Sequence, residues 1–406
     1  MINNISYNIF VKNFFNSMEK IFNNTKNAFE LKSDLELNRA YFLFKMIANP
    51  GLVKFGTKLT NIALKLNLPV EGIIRKTIFD HFCGGVSETD CLKVVDLMYT
   101  KGVSSVLDYS VEGKAEEKQF DSTLEMTLRT IQFAQEKQAI PYAVFKPTGV
   151  GRIELFEKVG AKQPLNESET AEWNRTVTRF ETICKTAYEK DVMLLVDAEE
   201  SWMQDAADDL CEEMMRRYNK EKAIIYNTAQ FYRWDRLDYL KQLHAKAKAE
   251  GFHIGMKVVR GAYMEKENLR AQERGYKSPI CANKQATDEN YDAGIKYMME
   301  NIDCMALFAG THNENSSYTL MQLIENANLA KNDNRVWFGQ LYGMSDNMSY
   351  NLSKYGYNIA KYLPFGPVKE VVPYLIRRAE ENTSVAGQTT RELNLLVTER
   401  NRRKKA

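Results

Sequence analysis

Residues 192–197 read VMLLVD, an apolar run that stops on an aspartate. A run this short, apolar at every position, suits a strand covered on both faces, as in a parallel sheet. Seven more runs share the texture, at 103–108, 142–146, 223–230, 253–260, 304–311, 336–341 and 359–364. Amphipathic segments separate them, at 122–137, 171–189, 202–218, 235–250, 287–301 and 317–330. Eight strand-like runs alternating with helices predict an α/β chain closed into a (β/α)8 barrel. An open doubly wound sheet shares the alternation, but usually carries a glycine fingerprint after its first strand; the chain has neither GxGxxG nor GxxxxGK[ST].

In such a barrel the chemistry sits at the C-terminal ends of the strands. Those positions hold Lys146, Asp197, Gln230, Lys257 with Arg260 and Tyr263, His312 with Asn313, Gln340, and Tyr362. Near the C-terminus, a helix begun by Pro367 carries Tyr374, Arg377, Arg378 and Glu381. A guanidinium fork matches a carboxylate or phosphate, and basic residues outnumber acidic ones in the set, so the expected ligand is an anion. Taken singly, each residue is ambiguous. Lys146 fits a Schiff-base lysine, a carboxylate binder or a structural ion pair equally well. Asp197 fits a general base, a metal ligand or the partner of a cation, and His312 alone reads most simply as a structural histidine. Gly261 and Ala262 leave room for a ligand phosphate to approach the backbone.

The 406 residues divide into a helical arm over 1–101, a barrel over 102–390 and a basic tail over 391–406, the tail read as a solvated end. Within the arm, Ser33 with Glu36 forms a capping-box pattern and Ser87 with Asp90 a second helix start, while Gly51, Pro69 and Gly84–Gly85 mark breaks. Lys+Arg 55 against Asp+Glu 53 gives no global charge argument for nucleic-acid binding. Six scattered cysteines without a CxxC pair, and four unclustered histidines, suit a reducing compartment and speak against a metal site. Residues 1–15 do not read as a signal peptide; a docked N-terminal helix is expected there.

The joint occurrence of FCGG (82–85), LDYSVEG (107–113), FKPTG (145–149), DAEES (197–201), NTAQFY (227–232), KVVRGAYM (257–264), THN (311–313), FGQLYGM (338–344), YLPFG (362–366) and PYLIRRAEEN (373–382) resembles the proline dehydrogenase family over about residues 35–388. The resemblance implies a distorted, TIM-like barrel with FAD at the strand ends and the last helix over the barrel mouth. It implies that Arg377, Arg378 and Lys146 hold the carboxylate of L-proline, with Tyr263, Leu341 and Tyr362 around the pyrrolidine ring. Asp197, Lys146 and Lys257 fall at the catalytic positions. Ala198, Gln230, Lys257, Val259, Arg260, Gly261, Ala262, Thr311, His312, Asn313, Gln340 and Glu381 fall on the cofactor side, with Glu381 near Tyr263 or the adenosine half. The order Lys257 then Arg260 reverses that of many bacterial members and follows the mitochondrial-type sequences, which leaves the contact of Lys257 open. Phe365 stands where tyrosine is frequent.

The family's acceptor is a membrane quinone, although no run of about 18 apolar residues occurs here. The implied location is cytoplasmic and peripheral to an inner membrane, or mitochondrial for a eukaryotic source, and a homo-oligomer is compatible with the family. The rival readings are a hydroxyproline dehydrogenase, a Schiff-base lyase using Lys146 and a non-catalytic barrel.

Overall fold

The computed structural model describes residues 21–66, 70–110, 116–384 and 388–405, with backbone alone at 61–65, 73, 76, 380–384 and 388. The expected N-terminal helix, the break at Pro69, the end of LDYSVEG and the side chain of Glu381 lie outside the described residues.

Each apolar run is a strand: β1 Ser104–Tyr109, β2 Tyr142–Phe145, β3 Met193–Val196, β4 Ile225–Gln230, β5 Ile254–Val259, β6 Met305–Gly310, β7 Val336–Leu341 and β8 Ile359–Phe365. All pair in parallel in sequence order, and β1 closes on β8 in a register from Ser104↔Ala360 to Tyr109↔Phe365. The fold is therefore a (β/α)8 barrel. Successive side chains alternate between two cores. One set, with Val106, Tyr142, Leu195, Tyr226, Phe308 and Tyr362, fills the barrel. The other, with Leu107, Ala143, Leu194, Ile225, Leu307 and Leu363, packs under the helices. Inside, Tyr142 meets Tyr226, Phe308 and Trp337 edge-on at ring-centroid distances of 5.5, 5.1 and 5.5 Å. That aromatic layer needs a glycine opposite: a Cβ on Gly339 would lie 2.2 Å from the Phe308 ring.

The loops contain more helix than expected. Ile153–Gly160 follows β2, Met264–Arg274 follows β5, and Asp346–Lys354 links β7 to β8. In the arm, Ser33 and Glu36 cap helix Asp34–Ile47 reciprocally, and the Ser87 side chain accepts from the Asp90 amide at the start of Glu88–Tyr99. The break expected at Gly51 falls slightly earlier, because Pro50 occupies the first position of helix Pro50–Lys65, where its missing N–H costs nothing.

The basic tail needs correcting: 391–405 lies within helix Gln388–Lys405, which docks on the arm. Leu395 and Leu396 pack with Leu37, Ala40 and Phe44. Buried Glu399 accepts from Arg402 and Arg403 at 2.8 Å, and Arg403 also donates to Asp34 and to the Phe29 carbonyl. Apolar residues at helical spacing between the charges, together with a buried acid, turn a solvated end into a packed element.

Candidate active site

Above the aromatic layer, at the C-terminal mouth, the strand ends enclose a cavity of about 470 Å³. It lies within the size range of ligand pockets. All the expected site residues with described side chains line it: Lys146, Asp197, Ala198, Gln230, Lys257, Val259, Arg260, Gly261, Ala262, Tyr263, Thr311, His312, Asn313, Gln340, Leu341, Tyr362, Arg377 and Arg378. Lys146 and Asp197 directly follow β2 and β3, Gln230 ends β4, and Lys257 projects inward from β5. Helix Val368–Ser384 carries Tyr374, Arg377 and Arg378 over the mouth, and Pro367 accepts its first backbone bonds.

Asp197 organises the floor. Its Oδ1 accepts from Lys257 Nζ at 2.5 Å and lies 3.4 Å from Tyr362 Oη, while its Oδ2 is 3.5 Å from Lys146 Nζ. Burial pushes the Asp197 carboxyl up, but the ammonium groups of Lys257 and Lys146 outweigh that and hold it below its ordinary value. Lys257 also donates to Tyr362 Oη at 2.9 Å. Lys146 Nζ lies 3.4 Å from Asp108 Oδ1, a second acid at the mouth. Burial would lower this lysine, yet Asp108 and Asp197 raise it above an ordinary ammonium. Lys146 is thus a locked cation, not a free amine.

On the other side, Arg260 donates to Asp288, Thr311 and Ser316 at 2.7, 2.8 and 2.9 Å and stacks on Tyr291. Lys284, also on the lining, pairs with the same Asp288. Burial pushes His312 down to about 3, with the nearby cations Lys361, Arg378 and Arg260 adding to the effect, so its ring is neutral. Nε2 accepts from the Leu341 amide at 3.4 Å, which leaves Nδ1 to donate to Ser345 Oγ at 2.8 Å. The Gln340 amide donates to the Thr311 carbonyl and accepts from Ser349. Gly261 has φ 138°, and a Cβ there would come within 2.5 Å of the Tyr232 ring. A smaller cavity of about 380 Å³ lies beyond His312 and Asn313, lined also by Ser345, Asn347, Arg391 and Glu392.

Sequence reading passed over Asp108, Thr228, Lys284, Phe308 and Met344, which share the main cavity. Only Asp108 gave a signal, as the acid on which the first apolar run stops.

Fold and cavity together define a (β/α)8 enzyme with a cationic mouth over an ion-paired, aromatic-floored pocket. Residues 91–391 match the sequence model of the family described as proline dehydrogenase. The carbapenem antibiotics biosynthesis protein CarD of Pectobacterium carotovorum subsp. carotovorum is 37% identical over 317 residues, covering 78% of this chain and 81% of its own. The mitochondrial proline dehydrogenase 1 of Homo sapiens is 40% identical over 253 residues, covering 61% of this chain and 42% of its own. Among solved structures, proline utilization A from Bdellovibrio bacteriovorus, inactivated by N-propargylglycine, superposes with a TM-score of 0.70 at 22% identity. That match spans 80% of this chain but only 36% of the larger protein, and it speaks to the fold alone. The chain belongs to the proline dehydrogenase family, oxidoreductases acting on the CH–NH group of proline.

Proposed function

We propose that the protein oxidises L-proline to 1-pyrroline-5-carboxylate with FAD held at the strand ends, and passes the electrons to a quinone. The observation that carries this reading is the convergence on one cavity of Arg377 and Arg378 from the overlying helix with the locked Lys146–Asp197–Lys257 group from the barrel.

The residues present fit a flavin dinucleotide. Gly261 offers backbone where no Cβ has room, Arg260 and Lys284 gather cations for a pyrophosphate, and Gln230 and Gln340 bring amides beside the apolar Val259 and Phe308. A bound flavin supplies the hydride acceptor, its N5. The chain's own residues then bind and orient. Arg377 and Arg378 clamp the carboxylate with charge-assisted bonds, assisted by the Lys146 ammonium. Tyr362, Leu341 and Tyr263 enclose the pyrrolidine ring and exclude water. Asp197 keeps Lys146 charged and holds Lys257 in place. Oxidation removes a hydride from C5 and a proton from the ring nitrogen, and the ring leaves as the cyclic imine; orienting C5 is the protein's main contribution.

The raised Lys146 argues against a Schiff-base lyase, which needs a neutral amine. Tyr362 fills the space in which a smaller residue would admit a ring hydroxyl, which favours proline over hydroxyproline. The test is the visible spectrum of the purified protein: flavin bands that bleach on adding L-proline are expected. A colourless protein that stays inactive with added FAD would sink the reading, as would a lysine adduct trapped by borohydride.

A further inference from the structure

Helix Pro50–Lys65 carries Lys54, Lys58 and Lys65 and no acid. Val53, Thr57 and Thr60 are partly buried toward the protein. Leu52, Phe55 and Leu59, at i, i+3 and i+7, form a stripe on another face and are 50, 68 and 56% exposed. Lys54 and Lys58 flank that stripe, both exposed, and among the described residues no acid pairs with either. The preceding helix Asp34–Ile47 adds exposed Leu35, Phe42 and Met46, again on one face. Single exposed apolar residues are ordinary; two successive helices with apolar stripes, one edged only by lysines, are not.

We propose that this face of the arm is a membrane-docking surface for an anionic bilayer. A strip of large apolar residues flanked by lysines matches the acyl–headgroup boundary of such a bilayer: leucine and phenylalanine enter the apolar layer while the lysine stems reach back to lipid phosphate. A soluble protein partner would equally cover the apolar stripe, but nothing on the helix asks for an acidic surface as large as the lysine edge except a sheet of anionic headgroups. In the tail, by contrast, Arg402 and Arg403 are already paired with Glu399 and Asp34. The docked helix packs against helix Val368–Ser384, which bears Arg377 and Arg378, and Lys369 bridges to Glu71 at 3.0 Å just beyond it. Docking therefore sets the cavity mouth beside the lipid, where a quinone acceptor resides. This extends the quinone reading above, but its test needs no turnover.

The experiment is cosedimentation of the full chain with phosphatidylcholine vesicles, with and without phosphatidylglycerol. Pelleting with the anionic vesicles, reversed by high salt, is expected. Phe55→Ser with Leu59→Ser should lower the partition coefficient at least about tenfold, and Lys54→Gln with Lys58→Gln should lower it by a similar factor, since each lysine near a charged surface is worth about 1 kcal/mol. Proline-dependent dye reduction in solution should be unchanged in both pairs. Failure of the wild type to pellet, or pelleting of both pairs to the same extent as the wild type, overturns the proposal. A serine pair that converts an oligomer to a monomer, with vesicle binding absent throughout, assigns the face to a second copy instead. Loss of dye reduction in the wild type would break the functional reading and leave the docking result standing.

Discussion

Two buried clusters in this protein share one formula, an aspartate between two lysines, and differ in what surrounds them. At the barrel mouth, Asp197 sits between Lys257 and Lys146 and faces the cavity. Beneath the loop after β7, Asp346 sits between Lys361, at 2.7 Å, and Lys32, at 3.2 Å. Lys361 is fully buried in β8 and also donates to the Met344 carbonyl, so this second cluster pins the loop that presents Leu341 and Met344 to the cavity. It also ties in the arm through Lys32 and lies beside Glu392 of the last helix, whose carboxylate accepts from the Ser345 amide. In both clusters burial raises the aspartate and the lysines more than reverse it. What separates them is access. The same arrangement of charges faces the main cavity in one place and, sealed in, acts as a structural bolt in the other.

The comparison is breakable, starting with its sealed half. Asp346→Asn strands the buried Lys361 and should cost about 3–5 kcal/mol of stability, read by denaturant unfolding, while the folded fraction keeps its KM for proline. An equal loss of turnover in the folded fraction would mean the bolt is part of the chemistry. Asp197→Asn should do the opposite, lowering kcat/KM about 100-fold with only a modest change in melting temperature, because it releases two cations that face the cavity. Arg378→Met should raise KM for proline at least about tenfold, since a charge-assisted contact contributes roughly 1.5–3 kcal/mol. Unchanged saturation by proline would remove the carboxylate assignment.

The smallest effect is a pH dependence. Asp346 is depressed, so its stabilisation is present above the ordinary carboxylate value and lost as pH falls. Glu392, buried beside Asp346, is pushed up to about 7 from an ordinary 4.5, so the stability its neutral form contributes is present below 4.5 and lost as pH rises through 7. Glu392→Gln should therefore match the wild type in acid and exceed it in melting temperature above pH 7. A difference that does not change with pH would rule out a neutral carboxyl there.

Much of this was legible in the chain itself. A strand covered on both sides is apolar at most positions, so each strand announced itself within a residue or two of its true bounds, and a polar residue ending such a run stood out as a site candidate. Lys361 was not legible in the same way. It stands between Ala360 and Tyr362, and the acid that makes it tolerable lies on another element. Asp108 was seen only as a run's end, because its meaning comes from Lys146, which a neighbouring strand brings beside it. The last helix was misread since its charges dominate by count, whereas Leu395, Leu396 and Glu399 decide its fate through contacts with residues some 350 positions earlier.

The β1–β8 seam joins the first strand made to the last. Until the ribosome has released Phe365, a nascent chain exposes two parallel strand edges, β1 on one side and β7 on the other, with no partner for either. Such edges invite pairing with other chains. The overlying helix with its two arginines and the final helix against the arm emerge later still, so the cavity mouth can be covered only on a barrel already shut. A chain terminated before Ile359 should accordingly aggregate instead of persisting as a partly active fragment.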